Sequence, residues 1–564
     1  MWLLTVKNNP IETVLDLKVH FSNQVLFADE DFFEYNSNSI HLVVFGNPWP
    51  RFELQKMNFE KTNYTWLISI INENRQNFIN YIKGDFLIFL EIDRRLNIYN
   101  DHFGFSAIFL NKKNLILSNN FKFLKAQSNL FNEEAIAQHI LFNRTLGNTT
   151  YDVNIENLEG ANLIELSNNL LNISKYWDYK KDLVKNSINY SLQEIIDFSH
   201  SNISFFYKHF DFDQTFITLT GGKDSRSALA ILLNLEINPI GINYGSDNSK
   251  DIVYARKLAD KIGIECKNID VKTDSDEYYP FLNELMDEHP MTSIHRTHRY
   301  AAFKESKSDN QSFTVLFNGY LGGELLMGIY PDKLVFTEYV LTHLNGVKTK
   351  KKVNFFETEL TSKLLEEYSK SNNLVLNDFN AIFTIGVKHH LQDIHLSKKY
   401  YNYVFPFFLD IDFIQRIFNS NYNFTKVNNK SKNLFKRHRL YKLNCELQYQ
   451  ISPKLRNIPF AKKGNYTLLD YKKGPLFWSV KKGFNHLREK NYPPNFTYDS
   501  HYLSWVKEKL VELNTNKNLK IHRYFDITKA IKEIQKTSKS KFSEADILPY
   551  TRIIMFSHYL SKLN

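Results

Sequence analysis

Hydrophobic positions fall into three regimes along this chain. In the first, apolar runs are short and broken by polar turns. Residues 84–109, Gly-Asp-Phe-Leu-Ile-Phe-Leu-Glu-Ile-Asp-Arg-Arg-Leu-Asn-Ile-Tyr-Asn-Asp-His-Phe-Gly-Phe-Ser-Ala-Ile-Phe, read as two strands joined by a polar turn, then a glycine turn and a further strand, which predicts antiparallel β structure. In the second regime strands alternate with helices. Residues 215–220 form an apolar strand that runs into a helix, 239–245 are strand-like, 251–262 helical, and 265–271 a further strand, the order of an α/β unit. From about residue 356 amphipathic stretches such as 358–371 and 505–514 dominate and predict a mostly helical C-terminal part.

The candidate chemistry sits where the second regime begins. Residues 215–233 read Thr-Phe-Ile-Thr-Leu-Thr-Gly-Gly-Lys-Asp-Ser-Arg-Ser-Ala-Leu-Ala-Ile-Leu-Leu, so a strand enters the Gly221-Gly222 turn and opens directly onto a helix. That is the layout of a nucleotide pyrophosphate site, because the first amides of a helix lack intrahelical partners and the dipole favours anionic oxygens there. The glycines allow close backbone approach, Thr220 and Ser225 add hydroxyls, and Asp224 suits a hard cation that bridges phosphates. The spacing fits neither a Walker A loop nor the three-glycine dinucleotide fingerprint.

Length and composition bound the rest. The chain has 564 residues, 43% hydrophobic and 15% aromatic, enough for roughly two to four packed domains. Two cysteines, Cys266 and Cys445, cannot build a disulfide framework or a cysteine zinc site. No run reaches transmembrane length, and the first ten residues lack the order of a signal peptide. A reduced, cytoplasmic protein without a membrane partner is expected. The net charge of +10 and the acid-free basic run at 426–442 raise nucleic acid as a partner, but the run carries no recognised nucleic-acid motif, so that partner is disfavoured.

The Thr220–Ser225 stretch resembles the Ser-Gly-Gly-x-Asp-Ser loop of the PP-loop ATP pyrophosphatases, with Thr220 in the Ser place. The order of β-rich region, loop and helices is similar to the asparagine synthetase family, and other pieces agree. Gly84-Asp-Phe and Asp101-His-Phe-Gly104 resemble the family's Gly-Asp-Phe…Arg-Asp-Arg-Phe-Gly pattern, and Gly147-Asn-Thr-Thr150, Gly160 and Tyr176-Trp177 resemble the segment that closes its first domain. The resemblance implies an α/β and α+β protein. Residues 1–180 would form a glutaminase-like (Ntn-type) β-sandwich, 181–475 a PP-loop α/β domain, and 476–564 a helical C-terminal extension. It also implies ATP and Mg2+ as cofactors. Leu219, Thr220, Gly221, Gly222, Asp224, Ser225, Asn243, Asn318 and Gly319 are then the candidate nucleotide contacts.

Departures from the family matter for function. The family's glutaminase uses a cysteine that becomes N-terminal once the initiator Met is removed, and position 2 here is Trp2. Its second motif, Ser/Thr-Gly-Glu-Gly-Ser/Gly-Asp-Glu-Leu-Phe-Gly-Gly, appears as Asn318-Gly-Tyr-Leu-Gly-Gly-Glu-Leu-Leu-Met-Gly328. Tyr320 stands in place of the first Glu and is similar to the tyrosine with which β-lactam synthetases deprotonate an amine; the alternative is a packing aromatic. Gly323 replaces the metal-binding Asp, which leaves Asp224, with Glu324 as its candidate partner, to hold the metal. Ile458-Pro-Phe-Ala-Lys-Lys-Gly-Asn465 resembles the family's basic Lys-x-Gly segment and implies that Lys462, with Lys463 as its neighbour, meets charge developing in the transition state.

The catalytic candidates are therefore Tyr320, Lys462 and Glu324. Phe405-Pro-Phe-Phe-Leu-Asp410 resembles a turn of the same region and carries no assigned chemistry. The three histidines of residues 289–299 lack partners at zinc spacing and suit a basic pocket wall better than a metal. The resemblance implies adenylation of a substrate carboxylate and its union with an amine. Ring closure in a peptide or small-molecule substrate is preferred, as in β-lactam synthetases and lasso-peptide macrocyclases, with a leader-peptide or protease protein as a candidate partner. The alternatives are an intermolecular ligase using ammonia, a PP-loop tRNA-modifying enzyme, and a nucleotide-binding pseudoenzyme.

Overall fold

The computed structural model describes residues 1–6, 17–29, 31–54, 64–75, 77–125, 130–142, 144–167, 170–183, 188–245, 247, 249–269, 283, 297–306, 312–327, 334–335, 363, 366–367, 375–376, 382–422, 434–461, 466–488, 500–537 and 544–561. It is a mixed α/β molecule.

Its first part is built on β1 (Trp2–Val6), β2 (Leu17–His20), β3 (Gln24–Ala28), β4 (Phe33–Asn36), β5 (His41–Pro50), β6 (Ile82–Ile92), β7 (Arg95–Asn100), β8 (Ile108–Asn111), β9 (Ile116–Ser118), β10 (Ile155–Leu158), β11 (Asn162–Ser167) and β12 (Leu170–Lys175). These form two six-stranded sheets, β10-β8-β9-β1-β3-β2 and β12-β11-β7-β6-β5-β4, with antiparallel pairing as the short alternating runs predict. The polar turn between β6 and β7 is Asp93-Arg94, both left-handed at φ 50° and 62°, as a two-residue hairpin requires. Period-two alternation then sorts the side chains. Leu4, Leu26, Val43, Phe45, Leu87, Phe89, Ile98 and Leu117 pack between the sheets. On one outer face Leu42, Val44, Phe86 and Ile88 meet Trp66, Leu67 and Ile70 of the helix Thr65–Glu73. On the other, Leu3, Phe109 and Ile116 join Phe121, Leu124 and Ile136 of two short helices. The layers run helix, sheet, sheet, helix.

Pieces that the sequence singled out meet at the turn after β7. The Asp101 carboxylate accepts the amides of Phe103, Gly104, Phe105 and Ser106 at 2.8–3.0 Å. Gly160 lies so close that a Cβ on it would stand 2.4 Å from Gly104 N, which excludes any larger residue.

The second part is a five-stranded parallel sheet. Its strands are β13 (Gln214–Thr218), β14 (Ile240–Tyr244), β15 (Cys266–Ile269), β16 (Thr314–Asn318) and, after the small ladder of β17 (Leu334–Val335) with β18 (Val375–Leu376), β19 (Tyr403–Pro406). The order is β15-β14-β13-β16-β19. The expected helices appear as Asp224–Asn234 and Lys250–Ile262. Residues 405–410, read from sequence only as a family-like turn, supply the end of strand β19, a 3-10 turn and the cap Asp410 of the helix Ile411–Phe418.

The sandwich and the parallel sheet are joined by a buried junction. Trp49 of β5 packs near Phe206 and Phe405. Lys83 of β6, 2% exposed, bonds Asn202 at 2.8 Å, Asp410 at 2.9 Å and Asp412 at 2.7 Å, and Arg51 reaches Asp412 at 2.7 Å. The C-terminal region is helical as predicted, with Ser500–Thr515, Ile527–Gln535 and Glu544–Ser561. These helices return to the sandwich, where Tyr559 and Phe556 pack on Tyr151 and the Tyr524 hydroxyl bonds Glu133 at 2.8 Å. The expected 358–371 segment, except 363, 366 and 367, and most of 289–299 lie outside the described residues. Among the described residues no helix is long and apolar enough to cross a membrane. Cys266 and Cys445 are both free.

Candidate functional site

Chain order in the parallel sheet reverses between β13 and β16: β14 and β15 follow β13 to one side, β16 and β19 to the other. In such sheets the crevice beyond the strand C-termini at the reversal point is where ligands bind. The two loops singled out in the sequence leave these two strands. Thr220–Lys223 follows β13, and 319–321 follows β16, so residues about one hundred positions apart in sequence become neighbours.

The loops touch backbone to backbone. A Cβ on Gly319 would stand 2.6 Å from Ser225 N, one on Gly322 would stand 2.8 Å from Asp224 Cγ, and one on Gly221 would stand 2.3 Å from Ala461 Cβ. Within the first loop the Gly222 amide donates to Thr220 Oγ1 at 3.2 Å, and Thr220 Oγ1 lies 3.3 Å from Ser225 Oγ. Leu219 is buried and its amide donates to Ile242 O at 2.8 Å. Asn318 is fully buried; its Oδ1 accepts the Tyr320 amide at 3.3 Å, whereas its Nδ2 has no hydrogen-bond partner among the described residues. Asn243, the last residue but one of β14, has its side chain turned to nearby backbone, donating to Asp251 O at 3.1 Å and accepting the Tyr244 amide at 2.8 Å.

Asp224 opens the helix Asp224–Asn234, and Glu324 lies in the first turn of Gly322–Met327. Burial pushes the Glu324 carboxyl above its ordinary range, and the neighbouring Asp224 charge adds to the shift. Two carboxylates that repel each other at adjoining helix N-termini fit a hard divalent cation, which relieves the repulsion and needs only one or two protein oxygens when phosphate and water complete the shell. Gly323 carries no carboxylate, and Glu324 beside it is the acidic group that feels the Asp224 charge. Among the described residues no cluster of three metal-ligating side chains occurs.

Several residues here were missed from sequence. Asn444 Nδ2 donates to Asp224 Oδ1 at 2.9 Å and its Oδ1 accepts Ser227 Oγ at 2.9 Å. Gln448, one turn on, donates to Lys223 O at 2.8 Å. Two amides spaced i, i+4 on the otherwise apolar face of Lys442–Ile451 are the signal that could have found them. Lys223 lies in an aromatic enclosure, its amine 3.2 Å from the Tyr441 ring centre and 5.2 Å from that of Tyr466. Arg226, fully buried, donates to Ile458 O at 3.0 Å and Pro459 O at 2.6 Å, and burial lowers its guanidinium to about 9. A charge inside an apolar helical run was its only sequence trace.

The Ala461 amide donates to Gly221 O at 2.8 Å, so the segment that leads to the candidate Lys462 is tied to the glycine loop; Lys462 and Lys463 themselves lie outside the described residues. Tyr320 is half-buried and stacks on His390, with ring centres 4.8 Å apart at 14°. Position 2 is far from this constellation in role. Trp2 is a core residue of β1 whose amide donates to Asn119 at 2.9 Å and whose ring meets Phe89 edge-on. Beside it opens a cavity of about 450 Å³, lined by Asn47, Asp85, Ser106 and Lys398 without a thiol. Neither a scan against protein-family models nor a search of the curated proteins finds a match for this chain.

Proposed function

We propose that the protein is an ATP-dependent amide-forming enzyme of the asparagine synthetase type, which adenylates a substrate carboxylate and joins the acyl group to an amine. The observation that carries this reading is the pairing of Asp224 and Glu324 across two glycine loops at the reversal point of the parallel sheet. In the first step a carboxylate oxygen attacks the α-phosphorus of ATP and pyrophosphate leaves. In the second an amine attacks the acyl carbon, AMP leaves, and the amine gives up a proton.

Gly221, Gly222, Thr220 and Ser225 would cradle the pyrophosphate, with the Asp224 helix dipole behind them. Asp224 and Glu324 would hold Mg2+, which when bound neutralises charge on the leaving group. Asn444 fixes the rotamer of Asp224. Lys462 would meet the developing negative charge, and Tyr320, oriented by its stack on His390, would accept the amine proton. With Trp2 in place of the family's cysteine, the amine comes from the substrate itself or from free ammonia. Cyclisation of a peptide or amino-acid-derived substrate is the preferred form of the reaction. The sandwich layers support a glutaminase-like first domain that has become structural.

Calorimetric titration with α,β-methylene ATP tests the reading. Magnesium-dependent binding is expected, weakened about tenfold or more in Asp224→Ala, as expected when a charged ligand group is removed. No binding by the folded wild-type chain would instead favour a scaffold that has lost its nucleotide.

A further inference from the structure

A second cavity, of about 250 Å³, lies where the β10–β11 turn, the segment after β12 and the helix Val387–Ser397 meet. Two lysines converge there on one carboxylate. Lys388 lies 3.4 Å and Lys175 3.7 Å from Glu159. Each amine is also held by a carbonyl, Lys388 by Gly147 O and Lys175 by Gly160 O. Burial lowers both ammonium groups, and Glu159 offsets only part of that cost. Arg144 adds like charge beside Lys388. At the rim Asp178 adds a second negative charge that favours the Lys175 ammonium, and Lys180 adds a further cation. Asp178 caps its own helix, accepting the Lys180 amide at 2.8 Å, and burial holds His102 neutral, its imidazole pushed down to about 3.

The walls are flat and aromatic. Trp177 stands against His102 and Phe103, and Tyr179 stacks on Phe383 with ring centres 4.4 Å apart at 14°. Lys388 is mostly buried and Lys175 partly exposed, and positive charge that is partly withdrawn from water beside an apolar slot favours an anion. The space exceeds that of an engineered apolar cavity of roughly 150 Å³ that binds benzene.

We propose that this cavity binds a small carboxylate carrying a planar apolar ring, its anion on the cavity side of the Lys175 and Lys388 ammonium groups and its ring against Trp177. The site does not depend on the nucleotide reading, since it is assembled from the sandwich and the side of the Val387–Ser397 helix that carries Lys388 and Leu391.

The test is titration of the full-length chain with phenylacetate, followed by ligand-observed NMR and calorimetry. Acetate keeps the anion without the ring, 2-phenylethanol the ring without the anion, and inorganic phosphate reports a site for anions in general. Phenylacetate is expected to saturate, with acetate and 2-phenylethanol each weaker by about tenfold or more. Lys175→Gln, at a partly exposed side chain, and Lys388→Gln are expected to weaken phenylacetate by a similar factor, Leu391→Trp to block it by filling the slot, and Asp224→Ala to leave it unchanged. Absence of saturation, affinity unaltered in a folded Lys175→Gln, or phosphate binding as tightly as phenylacetate would each overturn the proposal.

Discussion

Leu321 shows how a single residue in the second loop is held in an unfavourable conformation by its side chain. Its φ is +66°, yet it is a leucine and 1% exposed. The left-handed backbone costs about 1 kcal/mol for such a residue, whereas truncating a buried leucine costs about 2–5 kcal/mol. The burial term wins, so Leu321→Gly is expected to destabilise the chain by about 2 kcal/mol or more despite relieving the backbone. Denaturant unfolding decides it, and a stabilised variant would mean that strain, not packing, governs this loop. The glycines, Asp224 and Glu324 were legible because each motif is contiguous in sequence. Asn444 was not, because it stands 220 positions from Asp224 and only the folded sheet and its covering helix bring the two together.

At the scale of elements, the strand β13, its glycine loop and the helix after it act as one unit with residues 458–461, and Arg226 is the link. Replacing it by methionine keeps much of the volume but leaves the Ile458 and Pro459 carbonyls without their charged donor. Hydrogen bonds to charged groups contribute about 1.5–3 kcal/mol each, shared here by one side chain. Arg226→Met is expected to cost about 2 kcal/mol or more and to raise hydrogen exchange at 458–461 and 466–471, while the amides of β5 and β6 stay protected. Uniform loss of protection would instead make Arg226 a global core residue.

Periodicity exposed the antiparallel hairpin of β6 and β7 and the alternation through β15, because those strands and helices are continuous local patterns. It did not expose β19. Pro406 within an aromatic run speaks against a strand in a sheet interior. It is tolerated because, among the described residues, β19 is an edge strand that pairs only with β16, and which strand lies at an edge is set by distant parts of the chain. The sandwich's two-layer stacking was likewise legible only through the family resemblance, since alternation says which face is apolar and not what covers it.

The molecule as a whole is held together at the junction of Lys83 with Asp410, Asp412 and Asn202, between the sandwich and the edge of the parallel sheet. All three charged groups are buried, so their value lies less in net attraction than in the penalty for separating them. Lys83→Met leaves two carboxylates in the interior with Arg51 as the remaining cation near Asp412, and is expected to cost about 3–5 kcal/mol. Acid should erase part of that difference. Burial raises the Asp412 carboxyl, but Lys83 and Arg51 outweigh it and hold the group well below its ordinary 3.8. A carboxyl depressed in the folded state contributes stability above its unfolded value and loses it as pH falls toward the folded one. The advantage of wild type over Lys83→Met should therefore be full above about pH 4 and shrink as pH falls further. Parallel urea melts across that range measure it. A gap that stays constant with pH would show that Lys83 acts through packing on Trp49, 4.1 Å from its ring centre, and not through its charge.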